Sequence, residues 1–174
     1  ANLMILGMTG VFLSDSLVLF YVFWELSVLG AFFWVGLYGM GEAADRSHAL
    51  MRFLLFTVLG SLGMLAAVVF LLTRAPDVRI TGITEVVARL SPGERQWVFW
   101  GFFTAFAVKT PLFGFHGWMR DLYVRANPPA RTLLSAVMSK MGAFGFVTIL
   151  SAAFPGELRS LWMFLGPLAA AGIV

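Results

Sequence analysis

A run of 22 residues, Trp97 to Trp118 (WVFWGFFTAFAVKTPLFGFHGW), leaves few folds open. It is apolar almost throughout, with one lysine, Lys109, near its middle and Pro111 two residues later. Hydrocarbon cannot solvate an ammonium, so this lysine must find a partner, shed its proton or reach water. The proline removes one backbone donor and frees a carbonyl a turn earlier, which predicts a helix broken beside the charge. An ionisable group at a helix break is how membrane transporters build ion sites at mid-membrane depth.

The rest of the chain has the same character. Of its residues 60% are hydrophobic and 12% charged, against about 25% charged in a soluble domain. The expectation is an all-α transmembrane protein, a polytopic helical bundle in a lipid bilayer with one proline-broken helix. The arginines are scattered singly between apolar runs, and a nucleic-acid partner would require them clustered on one face. Cysteine is absent and the two histidines lie near segment ends. Thiolate-bound clusters, structural zinc and bis-histidine haem are therefore not expected, and no cofactor or metal is assigned.

Taken in order, residues 3–13 read as the second half of a span, ending at Ser14-Asp15-Ser16. Complete spans are expected at 17–38, 52–73, 97–118 and 133–154, all in a single transmembrane domain over 1–174. A further, truncated span begins near Leu161. The loop from Arg74 to Gln96 is the longest. Within it Ile83, Val86, Val87 and Leu90 fall on one helical stripe, which predicts a short amphipathic helix either in the interface plane or packed on protein. A basic loop covers Met119 to Arg131, and its Asn127-Pro128-Pro129 cannot be helix interior. The arginines of the 40–52 and 119–131 segments lie in short loops, which places that side in the cytoplasm.

Three charges lie well inside complete spans: Glu25, Lys109 and Lys140. At the rise of an α-helix, Glu25 is ~15 Å and Lys109 ~18 Å from the side that carries Asp15. Lys140 is ~17 Å from that side in a ~30 Å core. Three helices thus put their one charge at a common level, although each insertion costs roughly 2.5–3.5 kcal/mol. A Glu25–Lys109 pair could simply staple two helices, and Lys140 could snorkel outward on its long stem. A second lysine at the same depth is harder to explain structurally, and lysines that release protons readily are what proton carriage needs. His116, two turns beyond Lys109, is a further candidate, as relay or as an ordinary interfacial histidine. Thr110, Ser135 and Ser139 could hold water or cap freed carbonyls. Gly60-x-x-Gly63 and Gly142-x-x-Gly145 read as packing grooves.

The segments AFAVKTPLFGFHGW (105–118), FYVFWE (20–25) and SKMGAFG (139–145) resemble the antiporter-like membrane subunits of respiratory complex I, the M type above all. FLLFTVLGSLGMLAAV (53–68) looks like the same group's next helix. The resemblance implies one five-helix repeat of a longer protein in the bacterial inner membrane, working with other membrane subunits. It implies proton translocation through internal water, coupled to quinone reduction elsewhere. Glu25 would be the helix-five glutamate, Lys109 the lysine of the broken helix seven, Lys140 the helix-eight lysine and His116 the histidine of the HGW motif. This chain departs from the group's pattern at Gly114, where proline is usual, at Met119–Tyr123, and at Asn127–Thr132. Two other readings remain open at this point: a subunit of a cation/proton antiporter or membrane-bound hydrogenase, and a structural scaffold.

Overall fold

The computed structural model describes residues 1–171, which form a bundle of eight helices. They are α1 (Asn2–Leu13), α2 (Leu17–Tyr38), α3 (Ala43–Arg74) and α4 (Ile83–Ala88). Next come α5 (Pro92–Lys109), α6 (Gly117–Arg125), α7 (Pro128–Ala153) and α8 (Pro155–Ala171). Among the described residues three helices are long and apolar enough to cross a membrane: α2, α3 and α7. The fourth span expected, 97–118, is broken beside Lys109 as Pro111 predicts. α5 stops at Lys109, a turn follows over 110–116, and α6 begins at Gly117.

The other boundaries move for local reasons. α3 starts nine residues before the expected Arg52 because Ala43-Ala44-Asp45 favours helix and puts an acid in the first turn. α7 starts at Pro128, where the expectation had only a loop. Asn127 accepts the Ala130 N–H at 3.0 Å, and the prolines occupy the first turn, where a missing N–H costs nothing. α5 opens on a capping box, Ser91 with Glu94, and has Pro92 in its first turn. α7 is not uniform: two π turns, Leu134–Met138 and Phe146–Leu150, flank the α-helical segment Ser139–Gly145.

Small residues let the helices approach. A Cβ on Gly101 of α5 would lie 2.5 Å from the Gly63 carbonyl oxygen of α3, so this crossing is open only to glycine. α4 packs on protein: Ile83 and Val87 are fully buried, and the Thr84 hydroxyl donates to the Ala152 carbonyl at 3.4 Å. The basic loop holds a further helix, α6, whose Trp118 and Leu122 face the core one turn apart.

Both rims are clamped by polar contacts. On one, Leu17 N–H donates to the Val78 carbonyl, Ile80 N–H to Asp15 O, and the Asp15 carboxylate accepts from Thr81. Arg95 of α5 pairs with Glu157 of α8 at 2.5 Å, and Arg74 pairs with Glu94. On the other, Arg52 pairs with Asp121 and Arg125 with Asp45, each at 2.7 Å, tying α6 to α3.

Candidate functional site

The site lies where α5 ends. Pro111 has no N–H, so the hydrogen bond that would close on Ala107 cannot form. The Leu112 N–H takes the Ala107 carbonyl instead, at 3.0 Å, and widens the turn by one residue. The next carbonyl, that of Val108, accepts the Trp118 indole N–H at 3.1 Å. Both groups are buried, so this one bond spares a carbonyl the cost of isolation in apolar surroundings. Ser135 and Ser139 do not serve the break, because their hydroxyls donate to carbonyls of their own helix. Gly114 has φ +92, a conformation that proline, fixed near −65°, cannot adopt. The proline that the resemblance leads one to expect at this position would not fit this turn.

Lys109, the last residue of α5, is 1% exposed. Among the described residues three buried polar atoms have no hydrogen-bond partner: Lys109 Nζ, Thr110 Oγ1 and Glu25 Oε1. All three belong to this site. Glu25 and Lys109 are within coulombic reach of one another, yet they do not form one of the close ion pairs seen at the rims. Instead the Lys109 ammonium lies over the Trp24 ring, 5.3 Å from its centroid. Trp24 is itself held by Phe20 and Phe106, whose rings lie 5.7 and 5.6 Å from its own. Tyr21, one turn before Glu25, faces both that carboxylate and the Ser61 hydroxyl of α3.

Lys140 approaches the break from the other side. It is exposed and lines a cleft of about 370 Å³ with Thr110, Pro111, Met119, Tyr123, Ser135, Ser139 and Ala143. One wall is tight: a Cβ on Gly142 would lie 2.2 Å from Thr110 Oγ1 and 2.8 Å from the Phe106 carbonyl oxygen. Gly142 therefore seats the end of α5 on the helix that carries Lys140. Burial pushes the Tyr123 phenol, in the rim helix α6, up to about 12. It stays neutral through the physiological range and can offer a hydroxyl to water without titrating.

Glu25, Lys109 and Lys140 are thus gathered around the break at Pro111. His116 is not. It is exposed in the turn before α6, accepts the Gly114 N–H at 3.2 Å and stacks on Phe113. The sequence reading missed Trp24, Tyr21, Ser61 and the Trp118 indole. Only Tyr21 carried a readable signal, its i, i+4 spacing from Glu25 on one helix face.

Comparison with known proteins bears on the whole chain. A family model described as NADH:quinone oxidoreductase/Mrp antiporter, TM, matches residues 14–173. NADH-quinone oxidoreductase subunit M of Mycobacterium tuberculosis is 35% identical, over 91% of this chain and 30% of its own length. Respiratory complex I from Thermus thermophilus contains a chain with TM-score 0.82 and 34% identity, matched over 95% of this chain and 35% of that one. The Mrp complex from Dietzia sp. contains one with TM-score 0.77 and 27% identity, over 87% of this chain and 16% of that one. The chain spans about a third of the length of the curated relatives it matches.

Proposed function

Because the chain belongs to the NADH:quinone oxidoreductase/Mrp antiporter transmembrane family, we propose that it is a proton-translocating part of a complex I-type NADH–quinone oxidoreductase. It works in the bacterial inner membrane beside other membrane subunits. The observation that carries the reading is Lys109: a fully buried amine without a hydrogen-bond partner, at a helix break, between a carboxylate and a cleft that holds a second amine.

The chemistry is proton transfer alone. With Glu25 close, the negative charge keeps the proton on Lys109 Nζ. When a change in a neighbouring subunit draws the carboxylate away, the ammonium loses that support in a medium that solvates it poorly. Its proton passes past Thr110 into water in the cleft and is taken up by Lys140, leaving Lys109 neutral until it is reloaded. Reduction of quinone elsewhere in the assembly drives the cycle. His116 stays outside the relay and shapes the turn. The side bearing α6 faces the cytoplasm.

The test is proton pumping by the complete complex in liposomes, carrying Glu25→Gln or Lys109→Ala. Each change should reduce pumping at least tenfold with assembly intact, and full pumping with either would overturn the reading. A second reading, a cation/proton antiporter subunit, is favoured by the likeness to the Mrp complex. Transport that requires sodium and persists without electron flow would select it. If the charges only glue helices together, exchanging Glu25 and Lys109 should leave function intact.

A further inference from the structure

We infer that Trp24 is a positioning residue for Lys109: its ring holds the ammonium whenever Glu25 does not, so that one helix offers the lysine two alternative seats. The inference rests on the reading of Lys109 as a proton carrier and adds a station to it.

Four observations lead there. The Lys109 ammonium is 5.3 Å from the Trp24 ring centroid, within the range of a cation–π contact. The same Nζ has no hydrogen-bond partner, so the ring face offers the charge a compensation that no hydrogen bond supplies. Trp24 is 1% exposed, and a cation over a ring gains most where water is excluded. Trp24 and Glu25 are adjacent on α2 and so diverge by about 100° around the helix. A long, flexible lysine stem can move between ring and carboxylate while its backbone stays in place.

The two seats differ in what they recognise. The carboxylate attracts the ammonium through a full charge and also accepts hydrogen bonds from a neutral amine. The ring attracts through its quadrupole and has little hold on an amine without charge. Trp24 therefore retains the side chain only while it is protonated, and loss of the proton frees it. Phe20 and Phe106 keep the ring in place through tilted contacts and meet each other edge-on. Phe106 stands one turn before Lys109 on α5, so the ring and the lysine are set by the same helix pair.

The experiment keeps the shape of the side chain and changes only its quadrupole. Tryptophan with one, two or three ring fluorines is placed at position 24 of the full-length protein, and the assembled complex is reconstituted in liposomes. Pumping per electron pair should fall stepwise with each fluorine, by about tenfold across the series, with the amount of assembled complex unchanged. Trp24→Phe should fall between the extremes, and Trp24→Leu should match the trifluorinated form. A trifluorinated protein that pumps within twofold of the unmodified one overturns the inference. Lys109→Met, measured alongside, separates the two ideas. If it abolishes pumping while fluorination has no effect, Trp24 is packing only and the relay stands. If Lys109→Met pumps normally, both fall.

Discussion

The rims and the centre of this bundle treat charge in opposite ways. At the rims four arginines hold close carboxylate partners: Arg95 with Glu157, Arg74 with Glu94, Arg52 with Asp121, Arg125 with Asp45. At the centre Glu25 and Lys109 sit near each other, and the atoms that could bond are left without partners. The environment should reward the reverse. Water at a rim forgives an unpaired charge, whereas apolar surroundings penalise one heavily. Among the described residues, close pairs form where water is at hand and not between Glu25 and Lys109, as the proposed role of these two in carrying protons requires.

The largest expected effect follows from that contrast. Lys109→Met removes an unpartnered buried amine and fills its volume with apolar atoms. It should abolish pumping, at least tenfold, while the melting temperature of the purified complex stays level or rises. A sharp fall in stability would make the centre another structural pair and erase the distinction. Trp118→Phe comes next. It keeps the ring but strands the Val108 carbonyl, for about 1–3 kcal/mol of lost stability, measured by denaturation in detergent. Pumping should suffer too, because the same bond fixes the end of α5.

At the rims the effects shrink. Arg52→Ala breaks an exposed pair and should cost under about 1 kcal/mol, with pumping unchanged. The smallest effect is a pH dependence. Burial alone would raise the Glu157 carboxyl, but hydrogen bonds from Arg95 outweigh it and hold the group below 4.5. Hydrogen bonds from Ser91, and then Arg74, hold Glu94 below the same value. Folded values depressed in this way give stability that is complete above about pH 4.5 and is lost as pH falls through the folded values. Melting measured from pH 7 down to 3 should be flat and then decline, and Glu157→Gln should flatten part of the decline.

Much of this was legible in the sequence, and what was hidden is hidden for physical reasons. A lone Glu25, Lys109 or Lys140 stands out in an apolar run because the medium penalises it, and Pro111 marks the break because it lacks a donor. Trp24 does not stand out: in a chain with 18 phenylalanines one more ring reads as bulk, and only its position over Lys109 gives it a role. The Trp118 indole bond joins two residues across a turn whose path composition does not encode. The length of α3 and the start of α7 were missed because polar residues and prolines in a first helical turn look like loop. The exposure of His116 was equally unreadable, since depth along a helix has no meaning once the helix has stopped.

The π turns on either side of Lys140 carry one more consequence. Each wide turn absorbs about one residue that an ordinary helix would have to accommodate by rotating everything beyond it through roughly 100°. The lysine-bearing middle of α7 thereby keeps its phase relative to both flanks, and Leu134 and Ile149, within the wide turns themselves, stay against the core. Deleting a single residue from either wide turn should therefore let the rod close into regular helix with Lys140 and the buried apolar residues still on their present faces. The helix thus carries slack on both sides of its amine, and the loss of one residue there need not turn the amine off the cleft.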